Sequence, residues 1–92
     1  MLKYLWNEEK NQLLKVARGI GFEQIVDAIN NHLVLAKLKH PNRTRYKNQS
    51  IYVVNIDDYA YCVPCVKQKQ TVFLKTIYAS RKYKKLYLKE PK

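Results

Sequence analysis

The spacing of apolar residues changes once along this chain, and that change sets the order of its structural elements. In the first part, one group of apolar residues follows the i, i+3, i+4, i+7, i+11 spacing of a single helix face: Phe22, Ile25, Val26, Ile29 and Leu33. From residue 50 onward, short segments rich in isoleucine, valine and tyrosine alternate with polar turns, which is typical of β-strands. The sequence therefore predicts helices first and an antiparallel sheet afterwards.

A first helix is predicted before this one, over about residues 8–18. Asn7 is suited to be its N-cap, because an asparagine side chain accepts a hydrogen bond from a free amide of the first turn. Gly19 fits the position just after a helix end, where a left-handed backbone is common. Lys3–Trp6 is predicted as a short strand preceding the helix, and Leu33–Leu38 is compatible with either a strand or the end of the second helix.

The second part of the chain predicts a meander of three strands. Its turns are short, so consecutive strands pair antiparallel. Pro64 has no amide hydrogen for a sheet ladder, so its strand is expected to lie at an edge or to bulge there. The predicted strands are Ser50–Ile56, Tyr59–Val66 and Thr71–Tyr78, and the predicted turns are Asp57–Asp58 and Lys67–Gln70.

A last helix is predicted over residues 81–89, with Ser80 as its N-cap. The 92 residues form a single domain, residues 1–92, of the α+β class. Two N-terminal helices pack on a four- to five-stranded, mostly antiparallel sheet, and a short C-terminal helix follows. Helices on one side of the sheet would leave the other side open to a ligand or partner.

Positive charge is concentrated in the second part of the chain. The net charge is +11. Residues 1–36 hold four cations and four anions, whereas residues 37–92 hold fourteen cations and three anions. This asymmetry indicates a polyanionic partner such as nucleic acid, and the alternative is a merely solubilising surface.

The sequence has no apolar run of the ~20 residues that a membrane span needs and no signal peptide at its start, so a soluble cytoplasmic protein without membrane contact is expected.

Cys62 and Cys65 form a C-x-x-C pair, which occurs both in zinc sites and in redox motifs. A zinc site needs about two further ligands, and the chain offers only His32 and His40, without the usual spacing. Residues three apart on a strand also point to opposite faces. We therefore interpret the two cysteines as packing residues and expect no metal and no cofactor.

The basic C-terminal helix is the main candidate site. The planar guanidinium of Arg81 could hold a phosphate through two parallel hydrogen bonds, and tyrosines interleaved with lysines could stack on bases. The alternative is a solvated basic helix that Tyr83, Leu86 and Tyr87 attach to the sheet. The candidate catalytic residues here are Arg81, Lys82 and Tyr83, and the candidate RNA-binding residues are Tyr78, Lys84 and Lys85.

Two further candidates lie elsewhere. His40 has a reference pKa near neutrality and could transfer a proton. It begins a polar loop whose cations would bind RNA: Arg43, Arg45 and Lys47. Lys75 is predicted to share a strand face with Phe73 and Ile77. It either extends its charge past a sheet edge or marks a functional groove that binds RNA.

Three segments resemble the toxins of the BrnT-like family. Tyr4–Asn11 is similar to that family's F-x-W-D-x-x-K-x start, although Asn7 stands where the family has aspartate. Gly21–Ile25 resembles its S-F-E-E-A entry into the second helix, and Ile77–Lys82 resembles its C-terminal I-x-S-A-R-K/R segment. These segments occur in the family's order and spacing over most of the chain.

The resemblance implies a RelE/ParE-like fold whose open sheet face meets RNA. It implies a bacterial type II toxin–antitoxin module, with a small DNA-binding antitoxin, often ribbon-helix-helix, as partner in a higher-order, operator-binding complex. Toxins of this fold inhibit translation and growth by cleaving RNA without metal, through attack of the ribose 2′-OH. Arg81 would then stabilise the transition state, Lys75 and Lys82 would bind phosphate, and His40 or a tyrosine would transfer a proton.

Two other functions remain open at this stage. The chain could be a basic module that binds nucleic acid without cleaving it, or a partner that docks an acidic protein chain. Strongly salt-dependent nucleic-acid binding without product would indicate the first. Weak nucleic-acid binding together with copurification of an acidic protein would indicate the second.

Overall fold

The computed structural model describes residues 2–39, 45 and 48–88. Within these ranges the chain has the α+β class, with three helices and a mixed sheet. The elements in chain order are β1 (Lys3–Leu5), α1 (Glu8–Arg18), α2 (Phe22–Asn30), β2 (Val34–Lys39), β3 (Gln49–Ile56), β4 (Tyr59–Gln68), β5 (Thr71–Leu74), β6 (Tyr78–Ala79) and α3 (Arg81–Tyr87).

The first helix has the predicted bounds and caps. The Asn7 Oδ1 accepts a hydrogen bond from the Lys10 amide at 2.9 Å, and Gly19 has a φ of 70°. The second helix ends earlier than predicted, at Asn30, because a turn with His32 at a φ of 61° follows it. Leu33 therefore lies outside the helix and is exposed, so its place in the helical stripe was wrong. The ambiguous segment after it is the strand β2.

The sheet has the strand order β1-β5-β4-β3-β2, and β6 pairs with β4. The β1–β5 pair is parallel and the other pairs are antiparallel. Asp57 and Asp58 form the predicted two-residue turn, with φ values of 53° and 62°, as a type I′ hairpin requires. Strand β4 is longer than predicted and ends at Gln68, so the next turn is Lys69–Gln70 rather than Lys67–Gln70.

A bulge opposite Pro64 divides the predicted third strand into β5 and β6. Four residue steps lead from Leu74 to Tyr78, whereas only three separate their partners on β4, Cys65 and Cys62. The Pro64 carbonyl accepts a hydrogen bond from the Lys75 amide at 2.8 Å. In an antiparallel strand the amide and the carbonyl of one residue point to the same neighbouring strand. The nitrogen of Pro64 therefore faces the bulge, where its lack of a hydrogen leaves no ladder bond unmade. The extra residue lies in the segment that faces Pro64 and not in β4, whose register with β3 is unbroken, so the bulge was predicted in the wrong strand.

The two faces of the sheet are covered by different helices. We call the face under α1 and α2 the helix face, and its buried residues form the larger core with Leu14, Phe22 and Ile25. We call the opposite face the α3 face, because α3 packs there against Val53, Ala60 and Cys62. The expectation that this second face is wholly open was therefore wrong. No described helix is long and apolar enough to cross a membrane.

Asn11 connects α1 to α2 from inside the core, and it is fully buried. Its Oδ1 accepts a hydrogen bond from the Phe22 amide at 2.8 Å, and its Nδ2 donates to Glu23 at 3.0 Å. The Phe22 amide lies in the first turn of α2, where no carbonyl of the same helix can reach it. Asn11 thus replaces the missing acceptor and fixes the start of α2 against α1.

We expect Asn11→Ala to lower the free energy of unfolding by about 1–3 kcal/mol, since it leaves the buried Phe22 amide without an acceptor. Urea denaturation followed by far-ultraviolet circular dichroism measures the change. The matched control is Asn30→Ala, which removes an exposed asparagine at the end of α2 and should change stability by less than about 0.5 kcal/mol. Equal stability of the two variants would contradict the connecting role of Asn11.

Candidate nucleic-acid interface

Helix α3 is fixed at its start by two hydrogen bonds. The Ser80 amide donates to the Ala60 carbonyl of β4 at 2.9 Å. The Ser80 Oγ accepts from the Tyr83 amide at 3.2 Å, which confirms Ser80 as the N-cap. The helix ends at Tyr87, two residues before its predicted end. The orientation of Arg81 and Lys82 relative to the sheet is therefore set by backbone contacts with β4.

The underside of α3 is apolar. Tyr83 and Leu88 pack against the buried cluster Val53, Ala60 and Cys62. The Tyr87 ring stacks on that of Tyr83, with 5.9 Å between centroids. Leu86 was predicted to attach the helix to the sheet as well, but its side chain is 55% exposed. Tyr83 is thus mainly an anchor of the helix.

The outer surface of α3 is cationic. Arg81, Lys82 and Lys85 are exposed. The Lys82 Nζ lies 5.5 Å from the centre of the Tyr83 ring, and the Lys84 Nζ lies 5.1 Å from that of Tyr59. Cations at these distances are attracted by the ring quadrupole. Lys82 therefore lies against a ring of its own helix and Lys84 against a ring of β4, while the outer surface of α3 stays charged.

The acidic residues of the described part of the chain lie outside the strands. Glu8 and Glu9 begin α1, while Glu23 and Asp27 belong to α2. Asp57 and Asp58 form the β3–β4 turn, and no described strand carries an acidic residue. The α3 face therefore combines cations with strands free of negative charge, which favours binding of a polyanion.

Tyr78 and Lys75 lie on the same face as α3. Tyr78 pairs with Cys62 in the β4–β6 ladder, and its side chain is 37% exposed. Burial raises the pKa of the Tyr78 hydroxyl, and the neighbouring Cys62 thiol raises it further. The phenol therefore carries its proton at neutral pH and is a weaker acid than an exposed tyrosine.

Lys75 is exposed and shares this face with Phe73, as predicted. Its predicted alignment with Ile77 was wrong. The bulge shifts the alternation by one residue, so Ile77 is buried in the core on the helix face. A single extra residue thus leaves the lysine on the α3 face and places the isoleucine beneath α1 and α2.

The two cysteines are buried and free, and they lie on opposite faces of β4. Cys62 lies under α3, whereas the Cys65 Sγ lies 3.4 Å from the Ser50 Oγ on the helix face. Burial raises the pKa of both thiols. Their predicted role in packing agrees with this arrangement, because two ligands on opposite faces cannot hold one metal ion. Among the described residues, no three histidine, cysteine or acidic side chains gather as a possible metal site.

Some predicted site residues lie outside the described part of the chain: His40, Arg43 and Lys47. Arg45 is described and exposed. The sequence interpretation also missed Leu5 and Phe73, two large apolar side chains exposed on the α3 face. Their neighbours Tyr4 and Val72 pack on the helix face, so strict alternation would have shown that both point the other way.

No protein-family model, curated protein or solved structure matches this chain.

Proposed function

We propose that the protein binds RNA on its α3 face and cleaves it without metal, as the cytoplasmic toxin of a type II toxin–antitoxin module. One observation carries this proposal. The exposed cations Arg81, Lys82 and Lys75 lie on the same side of a sheet whose described strands carry no carboxylate.

Phosphate is the group that this surface is best suited to bind. Arg81 presents a planar fork of donors that matches two phosphate oxygens, and lysines bind phosphate as point charges. Each phosphate that is neutralised releases counterions, which makes the binding strong at low salt and weak at high salt. Tyr78 adds an aromatic ring near these cations. An unpaired RNA base could stack on this ring, whereas the bases of duplex DNA are already stacked on one another.

The reaction needs proton transfer and charge stabilisation only. The ribose 2′-oxygen attacks the adjacent phosphorus and loses its proton to a base. The bond between phosphorus and the 5′-oxygen breaks, and that oxygen takes a proton from an acid. The products are a 2′,3′-cyclic phosphate and a 5′-hydroxyl, and no water is consumed. Negative charge accumulates on the phosphorane oxygens, where fixed cations stabilise the transition state most.

The described residues supply most of these roles. Arg81 would stabilise the phosphorane, while Lys82 and Lys75 would bind neighbouring phosphates. Tyr78 would donate the proton to the leaving 5′-oxygen, because its partly exposed hydroxyl-bearing side chain lies on the α3 face with these cations. The base that accepts the 2′-proton is proposed to be His40, which lies outside the described residues.

Purified protein is expected to cleave single-stranded RNA in excess EDTA and to yield 2′,3′-cyclic phosphate ends. Gel analysis of an end-labelled transcript measures this, and RNA with 2′-O-methyl groups throughout is the control, since it has no attacking hydroxyl. Expression in a bacterial host should arrest growth unless the cognate antitoxin is coexpressed.

Cleavage that depends on Mg²⁺, or no cleavage at all, would contradict the proposed reaction. Strongly salt-dependent RNA binding without product would then identify a non-catalytic binding module. Weak RNA binding with tight copurification of an acidic protein would identify a protein-interaction surface instead.

A further inference from the structure

Helix α3 covers only part of its face of the sheet. It packs on Val53, Ala60 and Cys62 near the β3–β4 turn. Towards the other end of the strands lies an area that we call the open patch: Leu5, Phe73, Lys75, Pro64 and Val66. Leu5 is 42% exposed and Phe73 is 40% exposed. Covering a phenylalanine ring with this exposure would remove apolar surface from water, which is favourable.

The strand register defines the layout of the open patch. Phe73 lies between Val66 on one side and Leu5 on the other. Tyr78 pairs with Cys62, four residues along β4 from Val66, which corresponds to about 13 Å at the usual strand rise. Lys75 is exposed between these two aromatic rings. The row Phe73–Lys75–Tyr78 therefore alternates a ring, a cation and a ring in the direction of α3.

The charge around the open patch indicates what covers it. Lys3 pairs with Thr71, on the same face as Phe73, and it is exposed. Lys75 lies on the other side of the ring, and β1, β4 and β5 contain no carboxylate. A ligand that fits must therefore combine flat apolar groups with regularly spaced negative charges. Single-stranded RNA has both, whereas a duplex hides the faces of its bases in the stack.

We propose that Phe73, with Leu5 beside it, is a base-stacking subsite for single-stranded RNA. The inference rests on the proposed RNA-binding function and extends the RNA-binding surface from Tyr78 to Phe73. The distance between these two residues corresponds to about four nucleotides, at the ~3.4 Å spacing of stacked bases. Lys75 binds a phosphate between the two rings. The RNA therefore runs from α3 across the sheet towards β1, and the site selects unpaired RNA.

The test is fluorescence anisotropy with a labelled eight-nucleotide RNA that carries 2′-O-methyl groups, so that it binds without being cleaved. We expect Phe73→Ala to weaken binding about 5- to 150-fold, as loss of one stacked base does. Phe73→Trp should bind as tightly as the original chain. Phe73→Leu should lose nearly as much as the alanine variant, because leucine is apolar but has no aromatic face.

Two controls separate stacking from other effects. Leu13→Ala removes a leucine that is 66% exposed on α1, and it should leave the affinity unchanged. The slope of affinity against salt should stay the same in Phe73→Ala, whereas Lys75→Ala should reduce it by about 0.7, the value for one phosphate contact to a single strand. A duplex of the same length should bind the original chain and Phe73→Ala equally.

Failure of this inference is distinguishable from failure of the proposed function. If Phe73→Ala binds RNA normally while Lys82→Ala binds weakly, the subsite is wrong and RNA binding at α3 stands. If Phe73→Leu retains the full affinity of the original chain, the open patch is a general apolar surface that suits a protein partner. If the original chain does not bind the RNA at all, both proposals are overturned. Circular dichroism on each variant confirms that the compared proteins are folded.

Discussion

Replacement of Arg81 by alanine is expected to lower the rate of RNA cleavage by about 100- to 1,000-fold, the usual effect of removing one group that stabilises a transition-state oxyanion. Arg81 is the first residue of α3 and is exposed. The hydrogen bonds of Ser80 to Ala60 and to Tyr83 hold the start of this helix in place. In the proposed site, the guanidinium would therefore approach the phosphate from a fixed backbone.

The loss should appear in kcat more than in KM. The neighbouring cations Lys82 and Lys85 still attract the phosphates, so binding of the ground state changes little. Arg81→Lys should retain part of the rate, because the charge remains but the two parallel hydrogen bonds are lost. Cleavage of a fluorogenic oligoribonucleotide in EDTA, measured at several substrate concentrations, gives both constants.

The matched control is Arg18→Ala. Arg18 is exposed in the last turn of α1, on the other side of the sheet from α3. The two variants lose the same formal charge, so a general loss of electrostatic attraction would affect both equally. We expect Arg18→Ala to cleave within about threefold of the original rate, a change of less than ~1 kcal/mol. Equal losses in both variants would contradict a specific role for Arg81.

Local signals were sufficient to predict the helices. The helix caps are the predicted ones: Asn7, Gly19 and Ser80. Each cap acts on backbone groups within one helical turn, so neighbouring residues are enough to predict it. The end of α2 was missed because Leu33 has the right spacing for the helix but follows a turn at His32. Spacing reports which side chains could share a face, and it does not report where the backbone leaves the helix.

The site could be predicted only in part, because it depends on the pairing of distant strands. The sequence shows that Arg81 and Lys82 follow a capped start. Their place on the same side of the sheet as Lys75 results from a bulge opposite Pro64 and from the β4–β6 pairing. Neither the size of that bulge nor the face on which α3 packs can be read from local periodicity. Phe73 was missed for a related reason, since an apolar residue in a strand is usually taken as core.

The largest expected effect on stability comes from Phe22→Ala. Phe22 is fully buried as the first residue of α2, and its ring stacks on Trp6 with 5.7 Å between centroids. Removing a buried phenylalanine ring loses its transfer free energy and leaves a cavity, so the free energy of unfolding should fall by about 3–5 kcal/mol. A domain of this size has a total of roughly 5–14 kcal/mol. The variant should therefore lose a large part of its stability.

Urea denaturation followed by circular dichroism measures this loss, and Leu13→Ala is the control because it shortens an exposed side chain of the adjoining helix. A change below about 1 kcal/mol in Phe22→Ala would contradict the central place of this ring in the core. The same variant also tests the separation of the two faces. Phe22 lies on the helix face, so the folded fraction of Phe22→Ala at low temperature should bind RNA with unchanged affinity. A folded variant with weakened RNA binding would instead place the RNA against α1 and α2, because only then would the cavity lie beneath the contact surface.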